Sequence, residues 1–172
     1  MLFRSARQKL IPLQEALDKE AVNAKVIQES IKLLDADLKA ANKELAQLNK
    51  EAAALKDAAL KADIALQSAR LKLASHLKST CPEGFDYLSC VTHTEWKTQF
   101  MVTKKAIEKQ IKSMEADFVA KQAKHQAAKA QAEAKQKGFD TLTAKKKAKA
   151  VELAKAMQKV TKLTADIKKI ED

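Results

Sequence analysis

The chain has 172 residues and a net charge of +11, yet only two glycines, two prolines and 4% aromatic residues. So little turn-forming and aromatic material argues against an ordinary globular domain, and the regularly spaced aliphatic residues argue against a disordered polyampholyte. Alanine, lysine, glutamine, leucine and glutamate dominate, and these residues form helix at little cost in side-chain freedom, as in long helices and coiled coils.

The opening Met1-Leu-Phe-Arg-Ser-Ala-Arg-Gln-Lys-Leu10 is basic and acid-free. It has no apolar stretch of signal-peptide length and no small-residue cleavage site, so no secretory signal is expected. No apolar run approaches the roughly 20 residues that cross a bilayer. The expectation is a cytoplasmic protein without a membrane span, its thiols reduced by default.

From Leu13, apolar positions recur in alternating steps of four and three. The series is Leu13, Leu17, Glu20, Ala24, Ile27, Ile31, Leu34, Leu38, Ala41, Leu45, Leu48, Ala52, Leu55, Ala59, Ala62, Leu66, Ala69, Leu73, His76, and only Glu20 and His76 break it. Such a stripe lies on one side of a helix and demands a partner helix. A first helix is predicted over about 5–78, a tip loop over about 79–92 around Pro82-Glu-Gly84, and a second helix over about 93–170, opening at Thr92 or Thr94. The second stripe runs Phe100, Lys104, Ile107, Ile111, Met114, Phe118, Lys121, His125, Ala128, Ala132, Lys135, Phe139, Leu142, Lys146, Lys149, Leu153, Ala156, Val160, Leu163, Ile167, Ile170. Its middle is polar and holds Gly138, so the second helix is expected to be weakest around 121–149, with room there for a bend or split. The predicted fold is all-α, a long antiparallel two-helix coiled-coil hairpin forming a single helical domain over 1–172. Pairing about the loop sets His76 near Trp96 and Ala52 near Lys121.

Two regions carry candidate interaction residues. At the tip, Phe85, Tyr87, Leu88 and Trp96 form a candidate docking surface, because aromatic anchors dominate interfaces; Trp96 and Phe100 also suit a plug closing the hairpin end. His76, Cys81, Cys90 and His93 stand nearby, but their spacing matches no standard zinc module, and neither metal nor cofactor is expected. Cys81 and Cys90 stand either as free thiols or as a disulfide closing the loop. The second region is basic: residues 119–160 hold eleven lysines against Glu133, Asp140 and Glu152, a net +8. Lys121, Lys135, Lys145, Lys146, Lys147 and Lys149 define this basic face, which suits an acidic protein partner better than nucleic acid, since arginine, interleaved aromatics and a nucleic-acid module are lacking. No Gly-rich phosphate loop, nucleophile elbow or metalloprotease motif is present, and Asp35 and Asp37 point to different faces of a helix. No catalytic residue and no small-molecule substrate are expected, so the chain is read as a non-enzyme.

In its architecture the chain resembles the FliJ/YscO family of type III secretion and flagellar export stalk proteins. The likeness rests on the start Met1-Leu-Phe-Arg4 through Leu10, Leu13 and Leu17, on Leu88-Ser-Cys-Val-Thr-His-Thr-Glu-Trp96-Lys-Thr-Gln-Phe100, and on the basic Phe139-Asp-Thr-Leu-Thr-Ala-Lys-Lys-Lys147. The composition departs from the family in favouring alanine and lysine over glutamate, arginine and glutamine. The resemblance implies a central stalk whose end formed by both termini inserts into a hexameric secretion ATPase, while the other end faces an export-gate component. The residues alone leave open a structural or receptor-binding hairpin of an assembly or bacteriocin-like protein, a basic nucleic-acid organiser, and self-association.

Overall fold

A computed structural model describes residues 2–78 and 94–172. They form two helices, α1 (Leu2–Leu77) and α2 (Thr94–Glu171), with no strand among the described residues. α1 therefore starts earlier than the heptad stripe and takes Pro12 into its interior. Proline has no N–H to offer the Gln8 carbonyl, an interruption that costs about 3 kcal/mol inside a helix.

The helices pack antiparallel. Ala24 and Ile27 of α1 bury against Ala156 of α2, and Leu66 and Ala69 bury against Ile107 and Ile111. Every buried hydrophobic side chain among the described residues lies on one of the two stripes, and no polar or charged residue is buried with them. The all-α hairpin expected from the spacing is the fold observed. By compactness the chain divides into two units, each built from both helices: the first is Met1–Ala46 with Glu133–Asp172, and the second is Gln47–Ala132.

Two expectations are corrected. The first concerns register. His76, expected near Trp96, stacks on Phe100 one helical turn further along, with ring centroids 4.4 Å apart and planes 19° from parallel. Ala52 meets His125 rather than Lys121 through a 3.1 Å contact between its carbonyl oxygen and Nδ1. Both partners lie four residues further along α2. A shift of four returns a helix to nearly the same face, so the stripe alone cannot separate the two registers, and side-chain fit along the seam decides.

The second correction concerns continuity. α2 runs through 121–149 without a split. A Cβ on Gly138 would meet nothing within 4 Å, so this glycine faces open space and weakens the helix only through its own backbone freedom. The turn around it is strapped from both sides: Gln136 donates to Asp140 (2.9 Å), and the Thr141 hydroxyl donates to the Lys137 carbonyl (2.9 Å).

Candidate functional site

The polar residues that interrupt the two stripes are the natural place to look for chemistry, and the structure gives most of them a neighbour. Glu20, the first break in α1, points Oε1 to within 3.8 Å of Lys159 Nζ across the seam, while its Oε2 is buried without a hydrogen-bond partner. His76, the second break, stacks on Phe100 and sets Nε2 3.1 Å from the Phe100 carbonyl, to which it donates in the tautomer protonated there. His125 makes the equivalent contact through Nδ1 to Ala52. Each imidazole thus ties its own helix to the backbone of the other.

The six lysines read as one basic face do not share one. Lys135 reaches across the seam to Glu44, and Lys146 reaches Asp35 at 2.5 Å. Lys149 pairs with Glu152 at 3.0 Å and Lys121 with Asp117 at 2.9 Å, both within α2. Only Lys145 and Lys147 stand exposed without an ion pair among the described residues. Two positions apart on a helix, they point to different sides. Lys121 also belongs to the second unit and the others to the first. Lys121, Lys135, Lys146 and Lys149 are stripe residues that extend past the apolar edge and end on carboxylates. Partners on α1 were invisible to the sequence reading because they depend on register.

At the tip, Cys81, Phe85, Tyr87, Leu88, Cys90 and His93 lie outside the described residues. Trp96 falls in the first turn of α2, and its side chain likewise lies outside the description. Among the described residues no three His, Cys, Asp or Glu side chains are grouped to hold a metal ion, and no helix is long and apolar enough to cross a membrane.

Sequence reasoning missed a different surface, a row of exposed apolar residues on α1 outside the seam. Val22, Val26 and Leu33 are exposed there in the first unit, and Leu60, Ile64 and Leu71 in the second. Both triplets have the same spacing, four residues and then seven, so each presents one row of large apolar side chains to solvent. The signal was present: the same periodicity test that finds the seam, applied to the rest of α1, finds both rows. The first unit also holds two open clefts. One is lined by Ser30, Leu33, Leu34, Lys145, Ala148 and Lys149, and the other lies between Phe3, Arg7 and Leu10 of α1 and Ile170 of α2. Both linings mix apolar and charged side chains, and the Ser30 hydroxyl of the first donates to the Val26 carbonyl at 3.1 Å.

Comparison of the chain with protein-family models, with curated proteins and with solved structures finds no match.

Proposed function

We propose that this chain is a non-enzymatic coiled-coil stalk or adaptor of the cytoplasm, which acts by presenting long helical faces to protein partners. One observation carries the reading. The polar side chains of the seam are engaged with the opposite helix or with their own, and large apolar residues outside the seam face solvent, Val22, Val26, Leu33, Leu60, Ile64 and Leu71 on α1 and Val102, Val119 and Val151 on α2 among them. Side chains arranged that way hold a scaffold together and leave contact surface outside it, whereas a catalytic site gathers its polar groups around a pocket.

Among partners for such a hairpin, the resemblance in architecture favours the hexameric ATPase of a type III secretion or flagellar export apparatus, with this chain as its central stalk and an export-gate component at the far end. The tip residues Phe85, Tyr87, Leu88 and Trp96, and the unpaired Lys145 and Lys147, are the contacts the reading assigns to partners. Co-expression with the secretion-type ATPase and chaperones encoded beside it tests the assignment. The expected result is a stable complex in which ATP hydrolysis is stimulated. Failure of the chain to bind any of these proteins overturns the stalk assignment.

A further inference from the structure

The outward triplet of the first unit differs from that of the second in what flanks it. Val22, Val26 and Leu33 continue into Ala36 and Ala40, which completes a short stripe in steps of three and four. On one side of that stripe runs Lys25, Lys32, Lys39, each seven residues from the next. On the other side, at the same interval, runs Ser30, Asp37, Glu44. A basic row thus borders the apolar row on one side and a partly acidic row borders it on the other.

This pattern is complementary to itself in one orientation. When two identical helices pack in parallel through such a stripe, a residue of one flanking row meets the residue five positions later in the partner's other row. Lys32 then meets the partner's Asp37, Lys25 meets the partner's Ser30, and Lys39 meets the partner's Glu44, which lies between the stripe and the seam and also reaches Lys135 of its own chain. A two-fold axis doubles each contact. An antiparallel arrangement would instead set lysine row against lysine row. The second triplet lacks this property: in the same geometry Lys56 would face the partner's Lys61, a like-charge contact.

We propose that α1 is the interface of a parallel, two-fold dimer of hairpins, in which Val22, Val26 and Leu33 of two copies pack together, flanked by Lys32–Asp37 and Lys39–Glu44 pairs between the copies. Glu29 lies within the stripe, between Val26 and Leu33, and is held by Lys32 at 3.3 Å in its own chain. A carboxylate at that position weakens the contact and sets its register, as a single polar residue does in coiled coils. With three large apolar residues per chain the interface is small, so the dimer dissociates on dilution.

Sedimentation equilibrium of the full chain, loaded from about 1 to about 200 µM, tests the proposal and should give a monomer–dimer equilibrium with a dissociation constant on the order of 10 µM. A chain that stays monomeric throughout, or that assembles beyond two copies, overturns it. The double variant V26D/L33D should be monomeric with unchanged helicity by circular dichroism, because both side chains are exposed in the hairpin. The control L60D/I64D should dimerise like the parent, and the reverse outcome for these two variants overturns the assignment of the face. Orientation is tested by charge exchange. Lys32→Glu and Asp37→Lys should each weaken dimerisation at least about tenfold, and their equimolar mixture should restore it, because only the mixed dimer has opposite charges at both crossings. Failure of mixing to restore the dimer overturns the parallel register. Glu29→Leu should tighten the dimer at least about tenfold, and an unchanged constant counts against the stripe.

Discussion

The two units use the same two helices but hold them together differently. In the second unit the seam is bulky: Leu66, Ala69, Ile107 and Ile111 are buried together, with Leu73, Met114 and Phe118 packed on them. Two histidine-to-carbonyl contacts and the Arg70–Glu115 pair reinforce it. The packed cluster of the first unit is thinner, Ala24, Ile27 and Ala156 with Ile31 and Leu153. Around it three ion pairs cross the seam, Glu20–Lys159, Asp35–Lys146 and Glu44–Lys135. Apolar burial is worth about 25 cal/mol per Å², whereas a solvent-exposed ion pair is worth about 0–1 kcal/mol. The comparison teaches that cross-helix ion pairs fix partners and register in the first unit, while most of the cohesion of the second comes from packing.

The sharpest way to break the comparison is to cut the seam once in each unit. Leu66 is 3% exposed and sits among side chains of similar size, so Leu66→Ala leaves a cavity that neighbouring helix backbones cannot close. The expected loss is about 3 kcal/mol, within the range for buried leucine truncation. Ile27→Ala, against two alanines, should lose less, about 2 kcal/mol. Urea unfolding followed by circular dichroism gives both values. Equal losses, or a larger one at Ile27, would remove the distinction between a bulky and a thin seam.

Gly138 gives a gain rather than a loss. Its absent Cβ has open space around it, so Gly138→Ala should stabilise α2 by about 1 kcal/mol, read as a higher urea midpoint. A destabilised variant would mean that the backbone at 138 departs from the helix it continues. His125 separates hydrogen bonding from packing. His125→Ala should lose about 1 kcal/mol, because both the carbonyl contact and the side-chain volume go. His125→Leu should recover most of that loss, since Ala52 lies within α1, where its carbonyl has the helical hydrogen bond as well. If the leucine variant loses as much as the alanine variant, the bond to Ala52 outweighs the packing.

Much of this was legible before the structure, for a definite reason. Burial in a two-helix fold is one-dimensional, so a period of three and four locates Ala24, Ile27, Leu45, Leu66, Ile107, Ile111 and Ala156 without knowledge of their partners. Register was not legible. Sliding α2 by four residues keeps its apolar face inward, and the stacking of His76 on Phe100 follows from how rings and carbonyls meet. The roles of Lys135 and Lys146 followed register into obscurity: on one helix they read as a basic patch, and only the opposing Glu44 and Asp35 make them seam residues. The outward row of α1 is fainter in the sequence because Glu29 and Gln67 stand where its period calls for apolar residues. The tip residues, Cys81 and Cys90 included, lie outside the described residues, so their reading rests on the sequence.

The smallest expected effect decides whether the ion pairs of the first unit act as stabilisers at all. Lys146 and Asp35 keep 42% and 51% of their side-chain surface, so water and salt screen them strongly. Lys146→Met retains the apolar stem that lies on the seam and deletes only the charge. Asp35, half in water, is left without a large desolvation penalty. The change in stability should therefore stay within about 0.5 kcal/mol in either direction at low salt, and should shrink towards zero near 1 M salt, where the screening length is about 3 Å. Urea titrations at the two salt concentrations measure both quantities. A loss above about 1.5 kcal/mol that persists in high salt would show that the pair acts as a buried one, and the first unit would then owe its cohesion to charge as much as to its apolar residues.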